Sequence, residues 1–220
     1  MSASGEAAGT PPVSDIGRLT GFSDGVFAIV ITLLVIELRV PAHRPGELLT
    51  GLVEEAPAYV AFLLSFGYVG VIWLNHHMLL RLVRSTTLGL NWINLWLLLG
   101  VVVIPFPTAV LAAAFAHDGN DHDRRVAVLL YALAAAAMSA PWLAFFSYLR
   151  RHPALLGEGI SVAHVAAQRA RPVTGMALYL LSGALGWFVS PVLGVIGIVV
   201  MIAYHALTSE GVRRGRPRRR

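Results

Sequence analysis

Residues Arg18–Pro41 read RLTGFSDGVFAIVITLLVIELRVP, an apolar run that carries an arginine, a serine and an aspartate in its first third. A helix from Gly25 to Leu38 would be only about 21 Å long at 1.5 Å per residue, short of a hydrocarbon core about 30 Å thick. The helix is therefore expected to start at Ser14 or Asp15, with Ser14 as its N-cap and Pro41 as a stop beyond Leu38. Asp24 then lies inside a membrane helix, where a carboxylate is expensive and is kept when it is partnered and useful.

The rest of the chain repeats the apolar theme. Of 220 residues, 56% are hydrophobic and 13% charged, and the mean hydropathy is +0.69. Those values exclude an ordinary soluble domain, and runs of roughly 20 apolar residues read as spanning helices. Short alternating strand patterns are lacking, which argues against a barrel. Helix two is expected over about Pro57–Leu80, and helix three over Leu90–Phe115 with a kink at Pro105 and Pro107. Helix four is expected over Val126–Leu149. A basic, amphipathic connection then runs from Arg150 to Arg171. The stretch Val173–Leu207 is too long for one span and breaks at Ser190-Pro191 into helices five and six. The fold class is thus all-α: a polytopic membrane protein with six transmembrane helices. Residues 1–13 form a disordered lead without signal-peptide character, 14–209 the transmembrane domain, and 210–220 a basic tail.

All 17 basic residues are arginines. Arg18, Arg81, Arg84, Arg150, Arg151, Arg169, Arg171 and the tail fall on one side of the alternating topology, against Arg39, Arg44, Arg124 and Arg125 on the other. The positive-inside rule then makes both termini cytoplasmic and the protein a multi-pass plasma-membrane protein. The same rule explains the net charge of +5 without a nucleic-acid partner. Membrane lipid is the expected surrounding, and the arginine tail also suits anionic headgroups. Cysteine is absent, so disulfides and thiolate metal sites are excluded. The HDGNDHD loop lacks the frame of a calcium loop, and His76 and His77, adjacent on a helix, cannot share one metal. Neither a metal site nor a cofactor is expected. No HExxH, GxSxG, Walker or GxGxxG motif supports an enzyme.

Helical angles sort the first helix. With Ile29 at zero, Arg18, Phe22, Val26, Thr32, Leu33 and Ile36 fall within about 60°, whereas Ser23 and Asp24 lie about 120° and 140° away. The polar pair faces the rest of the subunit. The apolar stripe has the spacing of a helix that packs against copies of itself. No internal repeat is visible, so a conduction path would lie on an oligomer axis.

The motif Arg18-x-x-x-Phe22-Ser23-Asp24 resembles the RxxxFSD signature of the transmembrane protein 175 family of potassium channels. Trp73-Leu74-Asn75-His76-His77 and Asn94 with PFPTAVL extend the resemblance over the first half of the chain. It implies a homotetramer of six-helix subunits that passes potassium ions along a pore surrounded by helix one. Ile29 would then form the narrowest ring, Leu33 and Ile36 the next rings, and Thr32 a layer favouring potassium. Arg18, Ser23 and Asp24 would hold the helix through helices two and three. Asn75, His76, His77 and Asn94 are the expected polar anchors, with the histidines set against Arg18 or Asp24. An apolar ring acts as a dewetting gate, and selectivity over sodium should be modest because the chain has no TVGYG filter. A secondary transporter using Asp24 and His77 as proton-coupling groups is the alternative, and a non-conducting scaffold is a third reading.

Overall fold

Prolines and capping side chains set the helix boundaries in the computed structural model, which describes residues 15–116 and 120–208. The expected 1–13 lead and 210–220 tail lie outside the described residues. The elements are α1 (Asp15–Ile36), α2 (Leu48–Glu54), α3 (Ala56–Leu80), α4 (Leu88–Val103), α5 (Pro105–Phe115) and α6 (Asp121–Ala137). They continue with α7 (Ser139–Arg151), a 3-10 turn (Pro153–Leu155), α8 (Val162–Gln168), α9 (Ala170–Phe188) and α10 (Pro191–Thr208). Among the described residues, an isolated Val83–Leu156 bridge is the only β pairing.

Thr87 caps α4 by accepting from Leu90 N at 3.2 Å, and Asn120 caps α6 by accepting from Asp123 N at 2.9 Å. The Asn120 cap, with Asp121 and Asp123 in the first turn, starts helix four five residues before the expected Val126, because acidic side chains suit a helix N-terminus. The third helix breaks at Ile104, where Pro105 has no N–H for Val101 O and Ile104 N takes that carbonyl at 3.1 Å instead. A second break, not anticipated from the sequence, divides the fourth helix at Met138 between α6 and α7. Pro141 offers no N–H to Ala137 O, which explains it. Helix one ends at Ile36, two residues short of Leu38. The connection after it contains the short α2, entered through Gly46 at φ 90°, a left-handed conformation that glycine adopts without strain.

Among the described residues, five stretches are long and apolar enough to cross a bilayer: Ile16–Ile36, Ala56–Leu80, Leu88–Phe115, Asp121–Arg151 and Pro191–Thr208. The expected fifth helix is present as α9, a 19-residue element diluted by small and polar residues. Its buried stripe of Pro172, Gly175, Tyr179, Ser182, Gly183 and Gly186 packs against α6 and α10. Apolar burial does not drive helices together in lipid, so close backbone approach between small residues does that task. Gly186 and Gly194 meet so tightly that a Cβ on Gly194 would come within 2.7 Å of Gly186 Cα.

Loops on each side are tied together. Arg84 Nε donates to Ala154 O at 2.8 Å, and Arg84 N donates to Leu155 O at 2.9 Å. These bonds join the α3–α4 turn to the α7–α8 connection. At the opposite end, Arg125 Nη1 donates to Trp187 O and His122 packs edge-on to Trp187 at 6.0 Å.

Candidate functional site

One face of α1 is sealed against its own subunit. Ser23, Phe27, Val30 and Leu34 are essentially inaccessible, at 0–1% exposure. The opposite face is open, with Phe22 at 56%, Ile29 at 60%, Leu33 at 41% and Ile36 at 68%. Val26 is half-buried, and Thr32 is exposed. Over 22 residues, α1 is about 33 Å long, enough to cross the hydrocarbon core.

The sealed face is held by a buried polar chain across three helices. Ser23 Oγ donates to Leu19 O at 2.8 Å, so its lone pairs are left for Asn94 Nδ2, which donates at 3.0 Å. That orientation leaves Asn94 Oδ1 as acceptor, and His76 Nε2 donates to it at 2.8 Å. His76 therefore carries a proton on Nε2. The Phe27 ring lies 5.3 Å from the His76 ring and closes the chain off. Ser23, His76 and Asn94 are all at or below 1% exposure. A second hydroxyl cluster, Thr108, Ser65 and Tyr131, links α5, α3 and α6 at 2.6 and 2.9 Å.

Other anchors sit differently from the expectation. Asp24 is half-buried and accepts from Trp73 Nε1 at 2.8 Å. That bond goes to the indole and not to a histidine: His76 bonds to Asn94, and His77 packs against Trp73 at 6.3 Å. His77 Nδ1 is buried without a partner. Asn75 turns away from α1; it donates to Val71 O at 2.8 Å and accepts from Arg171 Nη2 at 3.5 Å. Arg18 is exposed beside the start of α4, lining a cleft with Thr86, Thr87 and Asn91. Among the described residues, it forms no ion pair with Asp24. Trp73 is the contact that sequence reasoning missed, although an indole N–H is the natural donor for a half-buried carboxylate. Thr32 Oγ1 donates to Ile29 O at 2.8 Å, which leaves its lone pairs directed outward. No group of three metal-binding side chains occurs among the described residues.

The stretch that builds this arrangement also carries the kinship. Residues 18–105 match the model of the endosomal/lysosomal potassium channel TMEM175. A potassium channel of Streptomyces collinus is 35% identical over 180 residues, 81% of this chain and 86% of its own length. The chain belongs to the TMEM175 family. A potassium channel of Chamaesiphon minutus is 38% identical over 203 residues, 91% of this chain and 98% of its own. The crystal structure of a lysosomal potassium-selective channel TMEM175 homolog from Chamaesiphon minutus matches with a TM-score of 0.75 at 37% identity. That match covers 89% of this chain and 98% of the other. The TMEM175 family is one of ion channels, not enzymes, and its all-helical, multi-pass membrane character is shared by this chain.

Proposed function

We propose that this chain is the subunit of a passive cation channel that favours potassium modestly over sodium. Four copies, each with six transmembrane helices, surround a pore lined by α1, with both termini in the cytoplasm of the cell. The observation that carries this reading is the two-sided character of α1. Its back is locked to α3 and α4 through Ser23, Asn94 and His76, while Phe22, Ile29, Leu33 and Ile36 are left uncovered by the subunit. A fixed helix with an uncovered apolar stripe suits a symmetry axis. The names of the bacterial relatives supply potassium as the ion.

In this reading Ile29 makes the narrowest ring, with Leu33 and Ile36 as further rings. Butyl side chains offer an ion nothing in place of its water, so the neck dewets and admits the more loosely hydrated ion more readily. Thr32, with its proton committed to Ile29 O, presents oxygen lone pairs that replace part of the lost hydration. The transporter alternative fares worse, because the group bonded to Asp24 is the Trp73 indole, a donor that cannot take up a proton.

The test is ion flux from purified protein in liposomes under potassium and sodium gradients. Passive, electrogenic and non-saturating flux is expected, larger for potassium. Saturable flux coupled to a proton gradient would establish the transporter instead.

A further inference from the structure

The connection between α1 and α3 is braced on itself and open to the outside. His43 Nδ1 donates to Pro41 O at 2.9 Å, and Gly51 of α2 is buried against the Pro41 ring, which a Cβ there would meet at 3.1 Å. At 100° per residue, Leu48, Leu49, Leu52 and Val53 share one side of α2, and Gly51 lies on the other. All four are exposed, Leu49 at 75%, and so is Val40 in the loop at 83%. Apolar side chains gathered on one side of a folded segment mark a surface that something covers.

Position and charge decide what covers it. The segment begins where α1 ends, at the far end from Arg18, and Val40 follows four residues after Ile36, the last member of the uncovered stripe. A surface continuous with that stripe meets what the stripe meets, which in the reading above is another copy of the chain. The bilayer suits it less. Residues 37–55 hold four glutamates against two arginines and no tryptophan, tyrosine or phenylalanine, whereas helices that lie among headgroups are rich in basic and aromatic residues. A second copy also matches the charges. Arg39 and Arg44 flank Val40 in the loop, and Glu54 and Glu55 follow Val53 at the end of α2. None of these four forms an ion pair with another described residue, so both signs are left for a neighbour.

We propose that α2 of each copy docks on the Arg39–Arg44 loop of the next copy, forming a collar at one mouth of the pore. Leu49 and Val53 then meet the partner's Val40, and Glu54 and Glu55 lie toward the partner's Arg39 and Arg44. The contact is head-to-tail, and such contacts close into a ring when the rotation allows. The collar rests on the proposed assembly of copies around α1, and its test separates the two.

Two differently tagged chains are purified alone or after co-expression, one with Arg39→Glu and Arg44→Glu, the other with Glu54→Arg and Glu55→Arg. Native mass spectrometry and size-exclusion chromatography read the oligomer fraction. Each chain alone sets like charges against each other at every contact and should assemble less than wild type. Together they should alternate in mixed oligomers, raising the fraction about threefold or more. Charges that pair within one chain would gain nothing from a second chain. A chain with Leu49→Gln and Val53→Gln, both exposed in the subunit, should show a lower oligomer fraction at unchanged helix content. Mixed oligomers no more abundant than the homotypic ones, or an undiminished fraction in the glutamine variant, would overturn the docking. The chain has no cysteine, so a fluorophore on Leu49→Cys reports from one place. It should be shielded from brominated lipid in proteoliposomes; strong quenching would overturn the collar in favour of the bilayer surface. A wild-type chain that stays monomeric would overturn the assembly itself, whereas a wild-type oligomer indifferent to these changes would overturn this contact alone.

Discussion

Asn94 Nδ2 on α4 lies 3.0 Å from Ser23 Oγ on α1, and the same amide accepts from His76 on α3 at 2.8 Å. One side chain thus spans the three helices that fix the orientation of α1. Hydrogen bonds inside membranes average about 0.6 kcal/mol and reach about 1.7, whereas a buried polar group left unpaired costs about 1–3. Asn94→Ala breaks both bonds and strands the His76 donor, while Ser23 keeps its bond to Leu19 O, so a loss of about 2–4 kcal/mol is expected. Ser23→Ala removes one interhelical bond and should cost about 1–2. Thermal melting of the solubilised oligomer gives the ranking; a Ser23→Ala protein less stable than Asn94→Ala would show that the amide is not the hub.

Trp73 and Asp24 form the second tie between α1 and α3, through a 2.8 Å hydrogen bond. Asp24→Asn retains the acceptor oxygen and should assemble nearly as well as wild type. Asp24→Leu and Trp73→Phe each delete the bond and should lower the oligomer fraction seen by size-exclusion chromatography. Because the two partners share one interaction, the double variant should be less impaired than the sum of the singles. Fully additive losses would mean that the two side chains act separately. Arg18→Ala should leave this cycle unchanged, since Arg18 stands apart at the start of α4.

Much of α1 was legible because a 100° step decides which side chains share a face. That rule put Ser23 opposite Ile29, and the structure buries the first and exposes the second. Proline chemistry likewise marked the break at Pro105. Periodicity names a face but not its neighbour, however: it does not distinguish the charges of α1 from Asn94 as the partner of His76, and the structure pairs His76 with Asn94. Asn75, one residue earlier, rotates by a helical step to α9. The seven-residue helices α2 and α8 are too short to establish a period, whereas the break at Met138 does carry a sequence signal in Pro141, whose missing N–H leaves Ala137 O without its helical partner.

Helices α9 and α10 approach through glycines, and this contact makes a sharp stability prediction. A Cβ on Gly194 would meet Gly186 Cα at 2.7 Å and Ser182 O at 3.0 Å, both backbone atoms that cannot rotate aside. Gly194→Ala should separate the two helices and cost about 1–3 kcal/mol, as overpacking does. Gly70 on α3, where nothing lies within 4 Å, is the control; Gly70→Ala should be neutral or slightly stabilising through helix propensity. Equal melting temperatures for both alanine variants would mean that the α9–α10 contact relaxes freely.

If α1 lines the pore as proposed, its two faces separate conduction from folding. Ile29 is 60% exposed and Phe27 1% exposed, with Phe27 packed 5.3 Å from His76. Ile29→Asn would place four amides in the proposed neck, keeping water and hydrated ions there. Total flux should rise and preference for potassium over sodium should fall, with little change in melting temperature. Thr32→Ala removes hydroxyl oxygens without widening the neck, so preference should fall with less change in flux. Phe27→Ala is a poor control, because emptying a buried aromatic site costs about 3–5 kcal/mol. Phe27→Leu fills most of the space and should lower stability while leaving selectivity unchanged. Liposome flux in paired potassium and sodium gradients, read beside melting curves, tests all three. A change in ion preference on Phe27→Leu, with none on Ile29→Asn, would move the pore to the other side of the helix.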